Sequence, residues 1–154
     1  MTKDNTEIKQ QLHSKCLFLV NERFEVIQRQ IQQIQESLAS ETKSTAGDKH
    51  ETGRAMLQLE REKAGQQLAE INKVKQVLSK IDSHILSSKV SLGSVVYTTQ
   101  ANYFISVSLG ELKLEQDSFF AISPGTPIGQ LLLGKAVGDK VTFRSQMFTI
   151  TKIF

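Results

Sequence analysis

The stretch Val20-Asn21-Glu22-Arg23-Phe24-Glu25-Val26-Ile27-Gln28-Arg29-Gln30-Ile31-Gln32-Gln33-Ile34-Gln35-Glu36-Ser37-Leu38 decides the first half of the fold. Val20, Phe24, Ile27, Ile31, Ile34 and Leu38 follow one another in steps of four and three, the spacing of a heptad seam. Gln28, Arg29, Gln30, Gln32, Gln33, Gln35 and Glu36 fill the positions between with good helix formers, which solvate the remaining face. Working outward, the helical pattern extends back to about Asn5. A second helical run spans about His50 to Leu86, its apolar side marked by Leu57, Ala64, Leu68, Ile71, Leu78, Ile81 and Ile85. Neither run contains Pro. The break between them, Ser40-Glu41-Thr42-Lys43-Ser44-Thr45-Ala46-Gly47, is small and polar. Residues from about Asn5 to Ser87 are therefore expected to form an antiparallel helical hairpin with Gly47 and Asp48 at its tip. Each arm would reach on the order of 50 Å at 1.5 Å per residue.

After Ser87-Ser88 the pattern changes to short β-type segments: Val95 to Thr99, Tyr103 to Val107, Phe119 to Ile122, Val141 to Arg144 and Phe148 to Ile153. Gly93, Gly110, Pro124, Gly125, Gly138 and Asp139 punctuate them. Thr126-Pro127-Ile128 reads as an N-cap, a first-turn Pro and a short helix running to about Leu133 and ending near Gly134. Six of the eight Phe and both Tyr lie in this half, enough aromatic volume for a core of its own. The expected fold class is α+β, with a helical coiled-coil hairpin over residues 1–88 and a small β-rich domain over residues 89–154.

Composition narrows the function classes. The 154 residues carry a net charge of +3 and 39% hydrophobic residues, ordinary for a soluble protein. The longest apolar run, Cys16-Leu17-Phe18-Leu19-Val20, is far shorter than a membrane span, and the polar N-terminus lacks the order of a secretory signal. A cytoplasmic protein with no membrane partner is the expectation. Cys16 is alone and sits in an apolar helical pattern, so it reads as a small buried hydrophobe. Lys and Arg are scattered, and there is no basic block to form a nucleic-acid-binding arm.

Gly129-Gln130-Leu131-Leu132-Leu133-Gly134-Lys135-Ala136 approaches a P-loop but ends in Ala136, which lacks the hydroxyl needed on Mg²⁺, and it places three leucines where a phosphate cradle is needed. A buried short helix and a turn fit it better. His13, His50 and His84 have no second ligand at zinc spacing. The serines cluster in linkers without a nucleophile-elbow context. The chain is not expected to hold a complete active site.

The segment Ala46-Gly47-Asp48-Lys49-His50-Glu51 admits two readings. Asp48 as N-cap with Glu51 three residues later is a capping box, and carboxylates in a first turn suit the helix macrodipole. The same spacing puts two carboxylates on neighbouring parts of one helix face, where they can hold a divalent cation whose shell is completed by water or a partner.

Over nearly its whole length the chain resembles the bacterial Gre transcript-cleavage factors. The stretch Ile122-Ser123-Pro124-Gly125-Thr126-Pro127-Ile128-Gly129-Gln130-Leu131-Leu132-Leu133-Gly134-Lys135-Ala136-Val137-Gly138-Asp139 looks like that family's C-terminal signature. Gly47-Asp48-Lys49-His50-Glu51 follows its Gly-Asp-x-x-Glu tip. The resemblance implies a coiled-coil finger followed by an FKBP-like domain. In that family the domain docks at the rim of the secondary channel of RNA polymerase and the finger passes down the channel. By this match Asp48 and Glu51 are catalytic and metal-holding. They would share Mg²⁺ with the polymerase active site to hydrolyse the 3′ end of a backtracked nascent RNA, while the free protein binds no metal tightly. Ser123, Pro124, Thr126, Pro127 and Ile128 fall to polymerase docking.

The chain would be an accessory factor to the polymerase's own chemistry rather than an enzyme. It departs from the family at Thr52-Gly53-Arg54-Ala55, where Asn-Ala-Glu-Tyr is usual. Arg54 can contact an RNA phosphate or serve as a solvated helix residue, and Gly53 weakens the helix start by roughly 1 kcal/mol relative to Ala. These changes bear on cleavage more than on docking. The alternative readings are a non-cleaving channel regulator of the polymerase and a peptidyl-prolyl isomerase.

Overall fold

The computed structural model describes the backbone of residues 4–43 and 47–154 and the side chains of residues 4–40 and 51–154. Two long helices, α1 (Asn5–Lys43) and α2 (Gly47–Ser79), precede a mixed six-stranded sheet with one short helix, so the fold is α+β. The strands are β1 (Val95–Thr98), β2 (Asn102–Ile105), β3 (Gly110–Leu114), β4 (Asp117–Ile122), β5 (Lys140–Phe143) and β6 (Gln146–Ile153). Helix α3 (Pro127–Leu132) lies between β4 and β5. The expected boundary at Ser88 falls in the segment between α2 and β1. Spatial packing groups the chain into two compact units, Met1–Leu19 with Gln76–Phe154, and Val20–Lys75.

In the unit Val20–Lys75 the seam expected from the heptad steps packs the two helices together. Ile27 and Ile31 of α1 and Ala64 of α2 form a buried cluster, joined by half-buried Ile34, Leu68 and Ile71. Lys75 Nζ stands 4.0 Å from the centroid of the Phe24 ring, and the Arg54 guanidinium donates to the Leu38 carbonyl at 3.3 Å. Moving up α1 from residue 24 to 38, the partners on α2 descend from 75 to 54, so the helices run antiparallel. Residues 44–46, which join them, lie outside the described residues.

In the other unit the strands order as β3-β4-β2-β1-β6-β5. All neighbours are antiparallel except β2 and β4, paired parallel with Phe104 opposite Ala121. Because side chains alternate across a strand, the registers Val95↔Phe104 and Phe104↔Ala121 put these three on one face, and all are buried. Leu12, Cys16 and Leu78 from the helix ends in the same unit are fully buried too. Cys16 Sγ lies 3.9 Å from Ser106 Oγ. Burial pushes the Cys16 thiol up to about 11, with the Ser106 hydrogen bond opposing, as expected of a packed rather than a reactive cysteine. The opposite face carries Val96, Ile105, Val141, Phe148 and Ile150, closed over by Val90 and by Leu132 of α3.

Two sequence expectations are corrected here. Helix α2 ends at Ser79 rather than near Leu86. Its last turn tightens into Lys80 N–H to Val77 and Ile81 N–H to Leu78 carbonyl bonds. The Asp82 carboxylate then accepts the His84 backbone N–H at 2.9 Å, a local turn that competes with helix. Ile81 is buried beneath Gly93, where a φ of +92° would strain a side chain and a Cβ would crowd Ile81 at 3.1 Å. Ile85, expected on the apolar side of α2, is 62% exposed. The second correction is an added strand. β3, with the polar sequence Gly110-Glu111-Leu112-Lys113-Leu114, pairs with β4 through a turn at Glu115, and only Leu112 and Leu114 face the core.

Candidate functional site

Helix α2 starts at Gly47, so Asp48 lies inside its first turn and not at the N-cap position ahead of it. The side chain of Asp48 is outside the described residues, as is all of the side-chain detail of His50. Glu51 stands one turn further along α2 and is exposed, a hard oxygen donor open to an approaching partner. Among the described residues no group of three or more His, Cys, Asp or Glu is placed to hold a metal ion. Of the two candidate carboxylates, Glu51 is the one whose side chain is described. Arg54, one turn beyond Glu51, is half-buried and turned to α1, where it donates to the Leu38 carbonyl.

The second group of candidate residues forms the turn leading into α3. Thr126 caps the helix as its sequence indicated: φ and ψ are −69° and 157°, and its hydroxyl accepts the Gly129 N–H at 3.1 Å. The same hydroxyl donates to the Ser123 carbonyl at 2.8 Å, and the Thr126 N–H bonds that carbonyl at 3.1 Å. Ser123 Oγ accepts the Gly125 N–H at 3.2 Å, the Ser123 N–H reaches Ser108 Oγ, and Gln130 Nε2 closes onto the Gly125 carbonyl. Pro127 takes the first helical position, where its missing N–H costs nothing. Ile128 packs against the sheet core. Ser123, Pro124, Thr126, Pro127 and Ile128 thus share one cross-braced turn, while Asp48 and Glu51 belong to the other compact unit.

Sequence reasoning missed the role of Gly129 in this turn. A Cβ there would stand 2.4 Å from the Ser123 carbonyl oxygen and 2.8 Å from Thr126 Oγ1, so the turn closes only around glycine. The signal was present as a Gly three residues after a capping Thr, but only the folded turn shows what it makes room for.

His13 and His84 have structural partners. His13 Nε2 bonds the Leu78 carbonyl in the last turn of α2 at 2.8 Å. His84 sits between Asp82 and Gln10, with Nδ1 at 3.3 Å from the carboxylate and Nε2 at 3.0 Å from the amide. Lys9, only 3% exposed, donates from Nζ to the Ile85 carbonyl at 2.6 Å. Desolvation holds its pKa below the ordinary 10.5, with the Asp82 charge pulling the other way. Gly134-Lys135 follows a six-residue helix in a turn bonded to Val90, which is the packed turn expected in place of a phosphate loop.

No described helix is long and apolar enough to cross a membrane. No family model matches this chain, and no curated protein matches it.

Proposed function

We propose that this chain is a Gre-like transcription elongation factor that enters the secondary channel of bacterial RNA polymerase and stimulates cleavage of backtracked RNA. The observation that carries the reading is the antiparallel helix pair, whose contacts run from Phe24 and Lys75 to Leu38 and Arg54 and put Glu51 toward the end where the helices are joined. A slender pair of helices with acidic residues at one end can bring carboxylates into a channel that a rounded domain cannot enter. On this reading the pair is a coiled-coil finger, and the mixed sheet with α3 is an FKBP-like domain that docks through the turn at residues 123–128.

Asp48 and Glu51 would hold a Mg²⁺ shared with the polymerase. When bound, that ion helps generate the attacking hydroxide and stabilises charge on the reacting phosphate oxygens. Asp48 and Glu51 would supply negative charge that helps hold the ion and orient the attacking water. Bound between two partners and held by two carboxylates from this chain, the ion belongs to the complex, and the free protein does not retain it. The chain is then an accessory factor in the cytoplasm, and its partners are the polymerase and the RNA 3′ end.

The test is a transcript-cleavage assay on a stalled, backtracked elongation complex, together with a binding measurement. Asp48→Asn and Glu51→Gln are expected to abolish cleavage stimulation and to leave polymerase binding intact, because each amide keeps the shape and removes the charge. Asn keeps the size and polarity of Asp within the first turn of α2, so Asp48→Asn tests the charge rather than the fold of that turn. Wild-type cleavage by Asp48→Asn would refute the metal role. A wild type that binds polymerase without cleaving would instead identify a channel regulator, with Thr52 to Ala55 as the reason.

A further inference from the structure

The two helices are not joined equally well along their length. The buried cluster of Ile27, Ile31 and Ala64, with Ile34, Leu68 and Ile71 around it, occupies the middle of the unit Val20–Lys75. Toward the joined ends the described seam residues Leu38 and Leu57 are half-buried and lie outside that cluster. Gly53 adds a second weakness by placing a residue of poor helix propensity inside α2. At this level Arg54 crosses from α2 and donates through Nη1 to the carbonyl of Leu38, 3.3 Å away. A helical carbonyl retains a second lone pair for such a bond. The planar guanidinium can spend one N–H there and keep others for further partners, and its stem lies along the apolar surface.

We propose that Arg54 is a positioning residue, a brace that ties the start of α2 to α1 and so fixes where Asp48 and Glu51 stand. The cleavage consequence rests on the function proposed above. The brace itself does not.

Hydrogen exchange on the free, full-length protein tests the brace. In Arg54→Met the amides of residues 52–57 are expected to exchange roughly threefold to tenfold faster, the range for losing one hydrogen bond. Amides around Ile71 should be unaffected, and Arg54→Lys should recover part of the protection because it retains a donor. On a backtracked complex, Arg54→Met should lower the maximal cleavage rate without changing the concentration of factor needed for half-saturation.

Unchanged exchange in Arg54→Met overturns the brace, and if cleavage then falls in step with RNA affinity, Arg54 is an RNA contact instead. Faster exchange around Ile71 as well would also overturn it, since that marks a general loss of stability. Localised faster exchange in a protein whose wild type never cleaves supports the brace and refutes the proposed function, so the two failures are distinguishable.

Discussion

Replacing Gly129 by Ala sets two opposing effects against each other. Inside a helix Ala is favoured over Gly by about 1 kcal/mol, and on local propensity alone the substitution stabilises α3. The folded turn reverses that sign. The new methyl would lie 2.4 Å from the Ser123 carbonyl oxygen, 2.8 Å from Thr126 Oγ1 and 3.1 Å from Pro124 Cα. Two of these atoms are backbone, so no flexible side-chain end can swing away. The Ser123 carbonyl already accepts from both the N–H and the hydroxyl of Thr126. Moving it disturbs the cap that the same hydroxyl provides to Gly129 N–H. Overpacking of this kind costs about 1–3 kcal/mol, and a lost Thr cap about 1 kcal/mol more.

After subtracting the gain in propensity, Gly129→Ala should destabilise by about 2 kcal/mol, lowering the melting midpoint of a chain this size by roughly 4–8 °C. Near-ultraviolet circular dichroism is the suitable probe, because Tyr103 packs on the same cluster as Leu132 and Ile128 and reports on this unit. A variant that melts at or above the parent temperature would refute the steric argument and leave helix propensity in control.

Two further outcomes follow from the same unit. Lys9 is buried with its pKa lowered by desolvation, so between that lowered value and 10.5 the unfolded chain holds a proton that the folded chain has lost. Stability contributed by this residue therefore rises with pH across that window, and the cost of burying the ammonium is fully present below it. Urea midpoints at pH 7 and pH 10 should show the wild type gaining on Lys9→Met at the higher pH, and an unchanged difference would exclude desolvation as the cause. In the hairpin between β5 and β6, Arg144 and Ser145 have φ of 52° and 66°, left-handed values that favour Asn and Gly. Arg144→Asn with Ser145→Gly should stabilise by about 1 kcal/mol, read as a higher urea midpoint. A lower unfolding midpoint would show that Arg144, which lies over the Phe143 ring at 5.0 Å, contributes more than its backbone strain takes away.

The sequence by itself determined the features that repeat or act locally. The four-and-three steps from Val20 to Leu38 require a second apolar helix, and Ile27, Ile31 and Ala64 are buried against each other accordingly. Thr126-Pro127 is a helix start in any context, because a hydroxyl acceptor and a fixed φ act within one turn. Cys16 could be assigned to the interior because the residues around it on α1 are apolar. The candidate acids were also visible, since Asp48 and Glu51 adjoin a break between two helical patterns.

Tertiary structure decided whatever depended on a distant partner. The periodicity of α2 continues to Ile85, yet the helix stops at Ser79, where Ile81 packs under Gly93 and Asp82 folds its side chain onto the backbone of His84. β3 is too polar to stand out as a strand, and β4 supplies its ladder partner. Lys9 looks like any surface lysine until the Ile85 carbonyl, 76 residues away, receives its ammonium. Arg54 likewise reads as solvated or RNA-binding until α1 brings the Leu38 carbonyl to within 3.3 Å. Periodicity records which face of an element is apolar, but the polar atom that will meet a given side chain is fixed only when the other element arrives.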